Sequence, residues 1–261
     1  MIPKRIHLTW FSGDEYPANI KKCLATWNKV LPDFEVKIWD MDMARALNID
    51  YVNEALDAKK WAFAGDVVRA YAVWSEGGVY MDTDIFLLNR FDWLLNYPMV
   101  FFMEINEARW KLNKSSVLID SKGRCLAPSE YPKGRQIQAA MFMGEKGNVC
   151  LKEIIDYYKN VHFSENGVIV GMNLISPWIY AKILEPHGFL YKDEDQEFEN
   201  IKVLNSSYVG FSKYDHATNC IALHLAEHAW DERKGWKKIK FAIMSSPIGP
   251  IANKIYKSIF G

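Results

Sequence analysis

The amino-acid sequence predicts an α/β fold in which helices flank a mostly parallel sheet. Short apolar runs with strand periodicity alternate along the chain with segments of helical periodicity, which is typical of βαβ units. The chain has 261 residues, of which 49% are apolar and 14% aromatic, so it can bury a substantial core. This length falls within the range of one large domain.

The individual elements follow from the spacing of the apolar residues. This spacing predicts strands at residues 2–10 and 35–39 and, between them, an amphipathic helix at 18–31. A longer helix is predicted at 60–75, because its apolar residues form one stripe and Gly77-Gly78 follows as a stop signal. Further strands are predicted at 79–86, 99–104, 139–143 and 220–225, and further helices at 149–161 and 173–185.

Two segments differ from this regular pattern. Residues 106–136 are polar, contain Gly and Pro and show no clear periodicity, and loops of this length are usually functional or mobile. Residues 237–261 contain no acidic residue and alternate lysines with apolar side chains. This basic, apolar tail has two open interpretations, a helix docked on the core or a segment attracted to an anionic membrane surface. We therefore predict one domain at 1–236, followed by the tail.

The composition excludes several classes of function. Lys+Arg and Asp+Glu balance at 32 each, so there is no global basic field of the kind that drives nucleic-acid binding, and nucleic acid is not an expected partner. The four cysteines show no zinc-ligand spacing and the chain shows no secretory leader, which favours a cytoplasmic protein with reduced thiols. No run reaches the roughly 18–20 apolar residues that a spanning helix needs.

Two aspartates, Asp82 and Asp84, follow the Gly77-Gly78 turn on the predicted strand 79–86. Alternate side chains of a strand point the same way, so these two carboxylates are expected to converge on one cation. Hard oxygen ligands suit Mn²⁺ or Mg²⁺, and such an ion is commonly completed by the phosphates of a substrate. The pattern therefore predicts a divalent cation and a diphosphate ligand.

The same Asp-x-Asp spacing occurs twice more in the chain, and both cases are interpreted as structural. Asp40 and Asp42 follow a strand and open a helical stretch, where acidic residues serve as N-caps. Asp193 and Asp195 lie in a polar run without an apolar strand before them, which indicates a solvated loop.

Three segments of the chain resemble, in order and spacing, the glycosyltransferases of family 32. These segments are IPKRIHLTWF at 2–11, AGDVVRAY at 64–71 and GGVYMDTD at 77–84. That family includes the yeast initiating α-1,6-mannosyltransferase and many bacterial capsule and lipopolysaccharide enzymes, and the clostridial glucosylating toxins are similar at a distance. The resemblance implies a GT-A fold, a nucleotide-sugar donor, a divalent cation and transfer with retention of anomeric configuration.

The resemblance also implies roles for single residues on the donor side. Thr9 and Trp10 match the strand end that holds the nucleotide base, and Tyr80 matches a position beside the ribose. Asp66 and Arg69 match residues that contact the donor sugar and the diphosphate. Core packing of Trp10 and a surface salt bridge between Asp66 and Arg69 are the structural alternatives.

The metal and catalytic roles are implied in the same way. Asp82 and Asp84 match the metal and ribose motif, and His224 is the candidate third ligand, with a purely structural histidine as the alternative. Trp230 matches the family's closing segment, although Ala229 stands where the family has Ser. Asp82, Asp84 and Arg69 would carry catalysis, because the cation and the guanidinium neutralise charge on the departing nucleoside diphosphate. No residue is assigned as nucleophile or base.

The resemblance favours a UDP-sugar as donor, with GDP-mannose as a second choice, and a glycan or lipid-linked oligosaccharide of surface-polysaccharide biosynthesis as acceptor. The tail at 237–261 would then bring a cytoplasmic enzyme to the inner face of the membrane, and residues 106–136 would form a mobile region on the acceptor side. Two rival functions stay open. One is a haloacid dehalogenase-like phosphatase with Asp82 as nucleophile, and the other is a catalytically silent nucleotide-sugar or carbohydrate binding module.

Overall fold

A computed structural model of the chain describes residues 1–211 and 217–225. The helices are α1 Ala18–Val30, α2 Met41–Arg45, α3 Asp50–Asp57, α4 Trp61–Glu76, α5 Glu107–Leu112, α6 Val149–Lys159 and α7 Ser176–Leu184. The strands are β1 Arg5–Thr9, β2 Glu35–Trp39, β3 Gly78–Met81, β4 Ile85–Leu87, β5 Met99–Ile105, β6 Arg135–Ile137, β7 Met141–Gly144, β8 Ser164–Glu165, β9 Val168–Ile169, β10 Gln196–Phe198, β11 Ile201–Leu204, β12 Val209–Gly210 and β13 Ala222–His224.

The central sheet has the strand order β10-β11-β5-β7-β3-β1-β2, and β6 pairs with the end of β5. The strands β2, β1, β3, β5 and β11 run in one direction, whereas β7 and β10 run against their neighbours. The predicted α/β class and the mostly parallel sheet are therefore confirmed. Because β1, β3 and β5 are parallel, their carboxyl ends lie at the same edge of the sheet.

Each face of the sheet packs into its own hydrophobic cluster. On one face, α4 and α6 cover Tyr80 and Phe101, while on the other face α1 covers Val79 and Phe102. Side chains of a strand alternate between the two faces, so a strand that is covered on both sides needs a continuous apolar sequence. The five residues Met99 to Met103 of β5 are all fully buried, as this arrangement requires.

A side-chain hydrogen bond and a close backbone approach between β1 and the turn after α4 fix the start of β3. Trp39 donates from Nε1 to His7 Nδ1 at 3.1 Å, so the proton of the His7 ring is on Nε2, which donates to Gly77 O at 2.9 Å. Burial lowers the pKa of His7, which keeps this ring neutral. Gly78 has a φ of 121°, and a Cβ there would lie 2.6 Å from Arg5 O. Only glycine fits this position without a shift of the backbone.

A small second sheet, β12-β13-β4, lies beside the central one. In it β13 runs antiparallel to β4, with His224 opposite Ile85. This pairing brings a residue from near the end of the described chain next to the aspartates that precede β4. The second sheet therefore supplies the link between the N-terminal motifs and His224.

The structure corrects two predictions about local structure. Asp82 and Asp84 do not lie on a strand, because β3 ends at Met81 and β4 begins at Ile85. Residues 106–136 are not a structureless loop, since they contain α5 and a short 3₁₀ helix at Ser115–Leu118. Their mobility stays a prediction.

Two further predictions fall wholly or partly outside the described residues. The boundary between residues 236 and 237 and the tail at 237–261 both lie beyond residue 225. Among the residues that the structure does describe, none of the helices combines the length and the apolar character that crossing a bilayer would require.

Gly78→Ala should lower the free energy of unfolding by about 2–4 kcal/mol, because the new methyl group meets Arg5 O in a backbone conformation that L-residues rarely adopt. Gly13→Ala is the matched control, since Gly13 also has a positive φ but open space around its Cα. It should cost only about 1 kcal/mol. Urea unfolding followed by circular dichroism measures both. Equal losses in the two variants would show that φ, and not the contact with β1, determines the effect.

Candidate functional site

A cavity of about 450 Å³ opens at the edge of the sheet where β1 and β3 end. Six of the residues predicted for the site line it together. They are Thr9, Trp10, Arg69, Asp82, Asp84 and His224. Residues that are up to 215 positions apart in the sequence are thus brought together by the ends of β1 and β3, by α4 and by β13.

The two aspartates converge through a tight turn. Ile85 N donates to Asp82 O at 2.9 Å, which closes the turn, and Asp82 N donates to Ala140 O at 2.8 Å, which ties it to the residue before β7. The alternation of side chains along a strand was therefore the wrong reason for the expected convergence. The convergence itself is present, because the turn directs both carboxylates into the cavity.

Asp82, Asp84 and His224 form a group that can hold one metal ion. One ligand atom from each residue can be chosen so that all three lie within 4.8 Å of one another. His224 Nε2 lies 3.5 Å from Asp84 Oδ1, whereas Nδ1 is buried without a hydrogen-bond partner among the described residues. Two carboxylates and one imidazole fit Mn²⁺ or Mg²⁺, with substrate oxygens left to complete the coordination.

A hydrogen-bond chain orients Asp82 within this group. Tyr80 OH donates to Asp82 Oδ1 at 2.7 Å and lies 3.1 Å from Thr9 Oγ1, which in turn donates to the phenol oxygen. The Tyr80 ring is fully buried and stacks on Phe142. Tyr80 therefore does not line the cavity but holds a candidate metal ligand in place from behind, and its contact with a ribose stays a prediction.

Arg69 lies in the wall of the cavity and carries the positive charge that faces Asp82. Its guanidinium donates to Ala139 O at 2.7 Å and to Gly65 O at 3.1 Å, so its position is fixed by the backbone. Nη2 lies 3.1 Å from Asp66 Oδ1 and 3.6 Å from Asp82 Oδ1. Since Asp66 and Arg69 are only 8% and 7% exposed, the alternative of a surface salt bridge is wrong.

Asp66 supports Arg69 from the side away from the cavity. Ser176 Oγ, on α7, donates to Asp66 Oδ1 at 2.8 Å, and Tyr180 OH donates to Asp66 O at 2.9 Å. Burial raises the pKa of Asp66 to about 6, against the opposite effect of the neighbouring Arg69. Asp66 is not among the residues that line the cavity, so its predicted contact with a donor sugar stays a prediction.

Trp10 lines the cavity and is partly exposed. Its indole Nε1 donates to Asp14 O at 2.8 Å, and its ring contacts Tyr16 with 4.7 Å between centroids. The ring also packs against the edge of the core, so core packing accounts for part of its surface and the cavity for the rest. Trp230, the other predicted aromatic contact, lies outside the described residues.

Sequence reasoning missed a polar chain that leads away from His224. Trp178 Nε1 donates to Gln136 Oε1 at 2.6 Å, and Gln136 Nε2 donates to Glu104 Oε1 at 2.7 Å. Burial raises the pKa of Glu104, and the nearby His224 opposes that rise. The position of Glu104 near the carboxyl end of a parallel strand was a usable signal, because functional groups gather at that edge.

Residues 17–100 match the family model described as "Glycosyltransferase sugar-binding region containing DXD motif". This match covers about a third of the chain and confirms the resemblance found in the motifs. Two curated proteins of Schizosaccharomyces pombe are similar, inositol phosphoceramide mannosyltransferase 2 at 33% identity over 103 residues and inositol phosphoceramide mannosyltransferase 3 at 30% over 104 residues. The matches cover 38% and 37% of this chain and 30% and 28% of those proteins, so the chain spans less than a third of their length.

Solved glycosyltransferase structures are also similar to the chain. The PaToxG glycosyltransferase has 17% sequence identity and a TM-score of 0.49, with 71% of this chain and 69% of that chain covered. The galactosyltransferase LgtC, in complex with donor and acceptor sugar analogues, has 11% identity and a TM-score of 0.42, with 91% and 94% covered.

Tyr80→Phe should weaken Mn²⁺ binding by about 10–100-fold, because the phenol that orients Asp82 is lost while the ring packing is kept. Titration calorimetry with Mn²⁺ and the free nucleotide measures this. The matched control is Tyr180→Phe. This change also removes a buried phenol, but that phenol donates to Asp66 O and does not contact a candidate metal ligand. Unchanged affinity in Tyr80→Phe would contradict the role of Tyr80 behind the metal site.

The stability of the wild type should fall by about 2 kcal/mol relative to Asp66→Asn as the pH rises from about 4 to 7. Burial raises the pKa of Asp66 to about 6 in the folded protein. Between the unfolded and folded pKa values the folded state therefore holds the extra proton, and that stabilisation is lost as the pH rises through the folded value. Asp66→Asn keeps an acceptor for Ser176 but does not titrate. Urea unfolding of both proteins at several pH values measures the difference, and a rise with pH would contradict it.

Proposed function

We propose that the protein is a metal-dependent, retaining glycosyltransferase that takes its sugar from a nucleotide-sugar donor. The observation that carries the proposal is the group of Asp82, Asp84 and His224 on the wall of a cavity that also contains Arg69 and Trp10. Carboxylates for a cation, a guanidinium for phosphate and an aromatic face for a base are the groups that such a donor requires. The match of residues 17–100 to a DXD sugar-binding region supports the same assignment.

The leaving nucleoside diphosphate is the proposed target of catalysis. A bound divalent cation supplies positive charge against the diphosphate. Asp82 and Asp84, with His224, would hold that cation, and Arg69 adds a second positive charge whose position the backbone carbonyls of Gly65 and Ala139 fix in advance. Preorganised charge of this kind stabilises the developing anion without reorganisation during the reaction. Retention follows from the resemblance alone, and neither a nucleophile nor a base is assigned.

The donor is proposed to be a UDP-sugar, because the chain resembles bacterial enzymes of surface-polysaccharide biosynthesis. GDP-mannose is the second choice of donor. The names of the two similar Schizosaccharomyces pombe mannosyltransferases support a mannose donor. The acceptor is proposed to be a glycan or a lipid-linked oligosaccharide. The protein would work in the cytoplasm, at the inner face of the membrane, with residues 237–261 as the contact.

The proposal predicts a metal-dependent thermal shift with one class of nucleotide. UDP, GDP, CMP and their sugar conjugates are each tested with Mn²⁺, Mg²⁺ or EDTA, because a ligand that binds only the native state raises its apparent stability. One nucleotide should raise the melting temperature in Mn²⁺ and fail to do so in EDTA. Asp84→Ala should abolish this shift.

Asp42→Ala is the matched control, since Asp42 is the second aspartate of another Asp-x-Asp and lies in the first turn of α2, away from the cavity. It should keep the full shift. The absence of a shift with every nucleotide would overturn the donor site. Metal-dependent release of phosphate from a substrate without a nucleotide would favour the phosphatase instead, and binding of a nucleotide sugar without transfer or hydrolysis would favour the silent binding module.

Deletion of residues 237–261 should reduce binding to liposomes that contain anionic lipid, because the tail has five lysines and no acidic residue. Sedimentation with vesicles measures this, and the nucleotide-dependent thermal shift shows that the shortened protein is still folded. Unchanged liposome binding would contradict the proposed role of the tail.

A further inference from the structure

Three large apolar side chains are exposed to solvent in the segment that follows β5. Leu112, Val117 and Leu126 are 84%, 71% and 62% exposed. A single exposed apolar residue is normal on a soluble protein, but several that are close together mark a surface with a binding partner.

Backbone hydrogen bonds hold these three residues in one area. Leu112 ends α5, which packs against the 3₁₀ helix that contains Val117. Leu126 N donates to Leu118 O at 2.8 Å, so the next stretch of chain returns beside the 3₁₀ helix. We call the surface formed by residues 111–126 the 111–126 patch.

The 111–126 patch also has an excess of positive charge. Lys111, Lys114, Lys122 and Arg124 are all exposed, and none of these four forms an ion pair within the described parts of the chain, 1–211 and 217–225. The patch has one carboxylate, Asp120, and this accepts hydrogen bonds from backbone N–H groups of its own turn. In a chain whose net charge is zero, this surface is therefore locally basic.

We propose that the 111–126 patch docks the protein on an anionic lipid bilayer. Exposed aliphatic side chains can enter the boundary between headgroups and acyl chains, and lysines around them attract anionic headgroups. Protein interfaces are instead depleted in Lys and enriched in aromatic residues. The patch has four cations and no exposed aromatic ring, so its chemistry matches a bilayer better than a protein.

The position of the patch connects it to the cavity. It begins six residues after Ile105, the last residue of β5, and β5 ends at the same edge of the sheet as β1 and β3. Docking would therefore place the active-site edge near the membrane, where an acceptor carried by a lipid is found. This last consequence depends on the proposed function, whereas the docking itself does not.

The test is the partition of the full chain onto vesicles of phosphatidylcholine with or without phosphatidylserine. Lys111→Glu/Lys114→Glu should weaken partition onto the anionic vesicles by about tenfold or more. Leu112→Ser/Val117→Ser/Leu126→Ser should weaken it by a similar factor while the salt dependence of the remaining binding is kept. Residues 237–261 are present in all these proteins, so any contribution from the tail is common to every comparison.

Two control variants are matched in chemistry and lie elsewhere. Lys22→Glu/Lys29→Glu reverses two exposed charges on α1, and Val36→Ser/Ile38→Ser replaces two exposed aliphatic residues on β2, the edge strand at the far end of the sheet. Both should partition like the wild type. The nucleotide-dependent thermal shift is measured on every variant, so a failure of docking is distinguished from a failure of the donor site.

Three outcomes would overturn the proposal. The first is that the wild type does not bind anionic vesicles, or that it binds them and the patch variants partition like the wild type with no change of oligomeric state. The second is an equal loss in the α1 charge control, which would indicate general attraction without a defined surface. The third is unchanged partition together with a change of oligomeric state in the patch variants, which would identify the patch as a contact between copies of this chain.

Discussion

The arrangement of the site depends on one buried guanidinium. Arg69 lies between two aspartates, at 3.1 Å from Asp66 and 3.6 Å from Asp82, and donates to two backbone carbonyls. A buried charge is costly unless opposite charges and hydrogen bonds surround it. Because the partners of Arg69 come from α4, from the segment before β7 and from the turn after β3, these elements must meet correctly for the charge to be compensated.

This requirement connects folding to function. The carbonyl groups of Ala139 and Ala140 are bonded to Arg69 and to the backbone of Asp82, so the same stretch of chain fixes both the guanidinium and the turn of the aspartates. With two aspartates around one arginine, and a third carboxylate on Asp84, the site has an excess of negative charge before a ligand binds. A divalent cation would correct that excess, and a diphosphate would then be attracted by the cation and by Arg69.

The sequence predicted elements where local periodicity determines structure. The helix predicted at 60–75 is observed at Trp61–Glu76, and the strand predicted at 35–39 is observed at Glu35–Trp39. Prediction from the sequence failed where tertiary contacts determine the local structure. The helix Asp50–Asp57 was not predicted. The helix Glu107–Leu112 lies in a segment that was expected to be a loop, because its six residues contain too few turns to show a helical period.

In the site, too, some features could be predicted from the sequence and others depend on tertiary contacts. The residues that line the cavity could be chosen from motifs, since Asp82, Asp84 and His224 have the chemistry of metal ligands. The turn that aims the aspartates could not be predicted from spacing, because it depends on the bond from Asp82 N to Ala140 O. Ser176 and Glu104 were also missed. Each makes one long-range side-chain hydrogen bond, Ser176 with Asp66 and Glu104 with Gln136. A single contact of this kind produces no periodic pattern in the sequence.

The central claim is that Asp82, Asp84 and His224 hold one cation against a diphosphate. Electron spin-echo spectroscopy of Mn²⁺ bound to the protein with the nucleoside diphosphate tests it most directly, because couplings identify the nuclei next to the metal. The account predicts a ³¹P coupling from the diphosphate and a ¹⁴N coupling that His224→Gln removes. A Mn²⁺ signal without ³¹P coupling, or a ¹⁴N coupling that persists in His224→Gln, would contradict it.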